Sequence, residues 1–162
     1  MASAWYVLRS KPFKEEFFWG QLLAHQIEVY YPFIQAKVFS PTTHKVKPYF
    51  PGHLFIHVDL DGLDTSFLNR MPGSRGLVAF NGRPAQVPDD MLTAIRGRVE
   101  RINRSADEIT ADQPVVGNVS YPEDAFAEHS AIFEVYGSGT ERIQILIRLL
   151  RDLQIPVEIS VA

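Results

Sequence analysis

The chain has 162 residues, 46% hydrophobic and 22% charged, with a formal net charge of −3; this suits one ordinary domain or two small ones and excludes a large multidomain enzyme and general disorder. Cysteine is absent, which removes disulfide frameworks, thiolate zinc sites and cysteine nucleophiles. No basic N-terminal segment precedes a long apolar run and no stretch approaches the ~18 continuous apolar residues of a membrane span, so the expectation is a cytoplasmic protein with no membrane partner.

Trp5 to Arg9 is an aromatic and β-branched run suited to an opening strand, and Lys14 to Gln26 predicts a helix because Phe17, Phe18, Gln21, Leu22 and His25 recur at spacings of three and four. Glu28 to Ile34 and His53 to Asp59 read as strands, and Lys37 to Tyr49, broken by Ser40-Pro41-Thr42-Thr43, as a basic hairpin arm. Leu77 to Phe80 is a further strand ending in the turn signal Asn81-Gly82, and Val87-Pro88-Asp89-Asp90 opens a helix running to about Asn103. The order β-α-β-β-β-α predicts an α+β fold with helices flanking an antiparallel sheet.

Cutting the chain after Arg104 separates 13 Lys+Arg and 9 Asp+Glu, a balance of +4, from 3 and 10, a balance of −7. A basic and an acidic half predict two modules with different electrostatic partners, nucleic acid or an acidic protein surface for the first. The polar segment from Ser105 to Pro114 reads as the linker, giving domains at 1–104 and 116–162 with 105–115 between them.

Enzyme motifs are absent: there is no Gly-x-Ser-x-Gly elbow, no phosphate loop and no dinucleotide fingerprint, so no catalytic residue and no cofactor is expected. His53 and His57 have the spacing of a helical metal pair but lie in a strand-forming run, where their rings stand roughly 13 Å apart, and no metal site is expected. Asp59, Asp61 and Asp64 lack the downstream Glu of a calcium loop and read as a solvated turn. The paired aromatics Tyr30-Tyr31 and Tyr49-Phe50 cannot all point inward from a strand, so outward rings are expected at an interface.

Several segments together resemble the bacterial NusG transcription elongation factors and their specialised paralogue RfaH. They are Trp5-Tyr6-Val7-Leu8, Tyr49-Phe50-Pro51-Gly52-His53-Leu54-Phe55-Ile56, Gly73-Ser74-Arg75-Gly76 with Val78-Ala79-Phe80, and Pro84-Ala85-Gln86-Val87-Pro88. The N-terminal part is similar to the NGN domain. The C-terminal part is similar to a KOW β-barrel domain through Gly117-Asn118-Val119, Ala125-Phe126, Ala131-Ile132-Phe133-Glu134 and the apolar run from Ile143 to Leu150.

The resemblance implies a non-enzymatic elongation or antitermination factor that docks on the clamp helices of the largest RNA polymerase subunit and bridges to the opposite pincer. Phe50, Pro51 and Phe80, with Val87 beside them, match the polymerase-binding depression, where Arg9 stands in place of an aromatic. Asp64, Thr65 and Ser66 match a stretch that touches the second pincer, Asp64 reading equally as a helix N-cap, and Lys11 and Arg75 match positions that approach the non-template DNA strand. A ribosomal protein or a termination factor is the implied partner of the C-terminal module. In its first loop, Asn118, Glu123-Asp124 and Glu128-His129 depart from the usual KOW pattern, which points to an operon-specific RfaH-type paralogue. The alternative is a KOW-type RNA-binding or ribosome-associated module without polymerase binding.

The C-terminal run carries two periodicities. Ile143, Ile145, Ile147 and Leu149 alternate as a barrel strand requires, whereas Ile143, Leu146, Ile147, Leu150 and Leu153 form a helical stripe. In the helical alternative, Pro122 to Tyr136 and the run after Thr140 form a hairpin about Gly137-Ser138-Gly139, free to cover the binding patch, as such a hairpin does in RfaH.

Overall fold

The computed structural model describes residues 3–37, 44–108 and 138–154. Strand β1 (Ala4–Ser10) is central, with β5 (His53–Val58) antiparallel on one edge in the register Trp5 to His57 and Val7 to Phe55. The other edge of β1 is shared by β6 (Ser74–Leu77), which pairs with Leu8 to Ser10, and β9 (Gln86–Val87), which pairs with Trp5 and Tyr6. Strand β2 (Glu28–Tyr30) completes the sheet beyond β5.

Side-chain alternation on β1 and β5 builds two cores from one sheet. Tyr6, Leu8, Leu54 and Ile56 point to the layer made by α1 (Glu15–Ala24) and α2 (Thr65–Arg70), where they meet Phe18, Leu22 and Leu68. Trp5, Val7 and Phe55 point the other way, to Met91, Leu92, Ile95 and Val99 of α3 (Asp89–Glu108). Both faces are thus covered, and the expected outward rings are not found: Tyr31, Tyr49 and Phe50 are all buried and Tyr30 is half-buried. Tyr30 and Tyr31 go to opposite faces, each with its own helical layer, whereas Tyr49 and Phe50 lie in a bend past the end of β4 and both rings enter one core, 4.9 Å apart.

The strand expected over Glu28 to Ile34 breaks at Tyr31-Pro32, because Pro32 has no N–H for a ladder. The chain leaves the main sheet there and enters a separate hairpin of β3 (Phe33–Lys37) and β4 (His44–Pro48). The tip of this basic arm lies outside the described residues. Asn103 guards the edge of β3: its side-chain amide donates to the Phe33 carbonyl at 3.0 Å and its oxygen accepts from the Gln35 N–H at 3.0 Å, imitating a neighbouring strand. The expected strand from Leu77 divides into the end of β6 and β7 (Ala79–Phe80), which turns through Asn81 and Gly82, with φ of 54° and 78°, into β8 (Arg83–Pro84). Two positive φ values at Asn-Gly are what a tight hairpin requires. Helix α3 continues to Glu108, four residues into the segment read as linker.

The C-terminal run is where the strand reading fails. Gly139–Gln154 is a helix, α4, whose first turn is tied down by Ser138: its Oγ accepts from the Glu141 N–H at 3.3 Å and its carbonyl from the Arg142 N–H at 3.2 Å. Leu146 and Leu150 are fully buried, in the same core as Trp5, Phe50 and Val87, and Ile143 and Ile147 pack against it. The barrel strand expected over Ile143 to Leu149 is therefore absent from the described residues; the helical stripe is the periodicity in use. The segment expected to form the partner helix of the hairpin, Pro122 to Tyr136, lies outside the described residues.

Candidate functional site

Tyr49 to Gly52, between β4 and β5, is the hinge of the candidate site, and the surrounding backbone holds it from several sides. The Tyr49 N–H donates to the Pro32 carbonyl at 2.9 Å, the His53 N–H to the Phe50 carbonyl at 3.0 Å, and the Ser10 N–H to the Gly52 carbonyl at 2.8 Å. The Gly52 N–H, where φ is 74°, donates to Oε2 of the buried Glu15 at 2.9 Å. Nδ1 of His53 lies 2.9 Å from the Pro51 carbonyl oxygen. Burial lowers the His53 pKa below the ordinary imidazole value, and Arg9 and Arg75 push in the same direction, against the hydrogen bond to Pro51 and the charge of Glu15. This network aims Phe50 into the core and leaves Pro51 at the rim.

Three of the four apolar residues singled out from the sequence converge, and Pro51 stands beside Phe50 at the rim. Phe50 and Val87 belong to one cluster and Phe80 packs against it. They do not form an exposed patch: Phe50 is 0% and Val87 3% exposed, and Pro51 and Phe80 are half-buried. Helix α4 completes the same cluster with Leu146 and Leu150, and Gly139 lies against Pro51 so closely that a Cβ there would stand 2.5 Å from the Pro51 ring carbons. At the near end Arg142 donates from Nε to the Tyr49 carbonyl at 2.8 Å, and at the far end Gln154 donates from Nε2 to the Gln86 carbonyl at 3.3 Å. Full burial of two leucines contributes ~3–6 kcal/mol in gross terms, enough to hold the helix in place before ordering costs are subtracted.

The polar candidates lie elsewhere. Asp64 caps α2, its Oδ1 accepting the Ser66 N–H at 2.9 Å, so the N-cap role read from the sequence is present. Thr65 and Arg75 line one open cleft of about 510 Å³ together with Arg9, Asn69 and Gly76. Ser66 is exposed on the first turn of α2, outside that lining. Lys11 is exposed, and its N–H donates to the Gly73 carbonyl at 2.8 Å, close in the chain to Arg75. Arg9 and Arg75 also line a second cavity of about 960 Å³, whose wall includes Lys47, His53 and Arg142. Glu15 and Arg142 are parts of the site that pattern reading passed over, since each acts through a contact remote in sequence.

A five-stranded antiparallel sheet between helical layers, with an apolar corner and a cleft lined by Arg9 and Arg75, defines an α+β module. A family model described as transcription termination factor NusG matches residues 3–96, more than half of the chain, and the chain belongs to the NusG family. Among solved structures, one described as domain interaction in Thermotoga maritima NusG is similar, with 19% identity and a TM-score of 0.46, over 59% of this chain and 56% of that one. The chain thus spans little more than half the length of that relative. No curated protein matches. Among the described residues no helix is long and apolar enough to cross a membrane.

Proposed function

We propose that this NusG-family protein is a non-enzymatic elongation or antitermination factor of the RfaH type, held in a self-masked state by its own C-terminal helix. Its polymerase-binding corner comprises Phe50, Pro51, Phe80 and Val87 and meets the clamp helices; Asp64, Thr65 and Ser66 meet the opposite pincer, and Lys11 and Arg75 the non-template strand. The observation that carries this reading is the seating of Leu146 and Leu150 in one cluster with Phe50 and Val87. A protein whose binding-competent form is a minor population binds its target more weakly by that fraction, so a docked α4 works as a restraint.

The alternating Ile143, Ile145, Ile147 and Leu149 then serve a second state, a KOW barrel formed by residues 116–162 once α4 is released and free to meet a ribosomal protein or a termination factor. Two packings of one sequence separated by a few kcal/mol are known in rare proteins.

The test is affinity for core RNA polymerase of the full chain and of Leu146→Ser/Leu150→Ser, with ribosomes and free RNA as competitors. Unmasking raises polymerase affinity at least tenfold. Equal affinity of both chains ends the masking, and preferential recovery of ribosomes or RNA ends the polymerase reading.

A further inference from the structure

The link between β1 and α1 breaks a local rule. Lys14 donates its N–H to the Lys11 carbonyl at 3.1 Å, closing a four-residue turn with Pro12 second and Phe13 third. Phe13 has φ of 61°, the positive value that the third position of a type II turn requires and that Gly ordinarily supplies. A bulky side chain in that region is strained. Nothing offsets the strain by packing, because Phe13 is 97% exposed, the most exposed of the large hydrophobic residues described. The turn is nonetheless anchored: the Lys11 N–H is held by the Gly73 carbonyl, and the Lys14 carbonyl accepts from the Phe18 N–H at 2.8 Å as the first bond of α1. The ring therefore projects into solvent from a fixed base.

Its surroundings indicate what would cover it. Lys11, Lys14, Arg9 and Arg75 are all exposed, and Phe13 shares the 960 Å³ cavity wall with Arg9, Arg75 and Lys47. Of the two nearby carboxylates, Glu15 is buried and engaged by Gly52, and only Glu16 is exposed. A projecting aromatic ring among cations matches the stacking platforms that bind single-stranded nucleic acid, where the ring takes the face of a base and the cations take phosphates. The same wall also carries the apolar Ile34, Val46 and Pro51, and it is the four exposed cations around the turn that favour a phosphate-bearing strand over a protein anchor.

We propose that Phe13 stacks against an unpaired base of single-stranded DNA whose backbone runs over Arg9, Lys11 and Arg75. This rests on the non-template-strand reading of Lys11 and Arg75 and adds a base contact to it, so that recognition is not by charge alone. A Phe at the third turn position, where the backbone favours Gly, is then a loss of stability kept for binding.

The test is titration of the full chain and its variants with a short fluorescein-labelled oligodeoxythymidylate, read by anisotropy at several salt concentrations. Phe13→Ala weakens binding roughly tenfold and leaves the salt slope unchanged, because stacking involves no counterion release. Phe13→Gly loses the same affinity while unfolding roughly 2–4 °C higher, a combination that a structural role for the ring would not produce. Phe13→Trp keeps the affinity. Arg75→Ala reduces both affinity and the slope, the latter by about 0.7. If Phe13→Ala and Phe13→Gly bind as the parent does while Arg75→Ala loses slope, stacking is overturned and the DNA contact stands. If the parent does not bind, or if Arg75→Ala and Lys11→Ala leave affinity and slope unchanged, the DNA reading fails and stacking with it. If Phe13→Ala weakens only polymerase binding, the ring is a protein contact and the proposal is wrong.

Discussion

Arg142 grips Tyr49 in two ways at once: its Nε donates to the Tyr49 carbonyl at 2.8 Å and its guanidinium carbon stands 4.4 Å from the centre of the Tyr49 ring. The residues are 93 apart in sequence, and the pair ties the first turns of α4 to the hinge that presents Phe50. A charge-assisted hydrogen bond is worth about 1.5–3 kcal/mol and a cation–π contact about 0.5–1, although the two are not additive.

Arg142→Ala is expected to weaken the docking of α4 by about 2 kcal/mol, or roughly thirtyfold in the docked-to-released ratio. Hydrogen exchange at the amides of Leu146 and Leu150 measures this. Arg142→Lys restores the charge without the planar fork and recovers little; full recovery by Lys means that charge alone holds the helix.

Gly139→Ala opposes two effects. Alanine improves helix propensity by at most about 1 kcal/mol, the value for a helix interior, whereas Gly139 is the first helical residue; its Cβ would lie 2.5 Å from the Pro51 ring carbons, and a proline ring cannot swing aside. The clash wins, so the expected outcome is faster exchange along α4 and tighter polymerase binding. Gly139→Ala with slower exchange and unchanged binding would show that the approach to Pro51 is dispensable.

Asp64→Ala removes the cap of α2 and should cost about 1 kcal/mol, seen as a fall of roughly 2–4 °C in the thermal midpoint. Asp64→Ser keeps an acceptor for the Ser66 N–H and should retain most of the stability. If polymerase affinity falls in Asp64→Ser while the midpoint holds, Asp64 has a contact role beyond capping.

His53 makes folding sensitive to mild acid. Its folded-state pKa is depressed, chiefly by burial, so below the unfolded value near 6.5 the unfolded chain binds more protons than the folded one. Stability therefore rises with pH across the window from the depressed folded value up to about 6.5, and falls on acidification through it. Urea unfolding at pH 7.5 and 5.5 should show a smaller difference for His53→Gln than for the parent. An equal difference would assign the pH dependence to other groups.

The sequence alone determined the parts whose burial pattern is local. Trp5 to Leu8 alternates and becomes the central strand, Asn81-Gly82 becomes the tight turn, and the acidic opening at Asp89-Asp90 becomes the start of a long helix. Family-specific segments marked Phe50, Phe80 and Val87 as belonging together, and they do meet. The tertiary structure alone decided what covers them. Ile143 to Leu150 is apolar at both the two-residue and the 3.6-residue repeat, so its local energetics do not separate strand from helix. The choice falls to the surface on which it buries: Leu146 and Leu150 find the corner beside Phe50, Arg142 finds Tyr49, and Gly139 fits under Pro51 only as a glycine. The exposure of Phe13 was hidden for the same reason. Whether an aromatic ring is core or surface depends on which layer comes to lie over it, and among the described residues no layer lies over the turn at Pro12-Phe13.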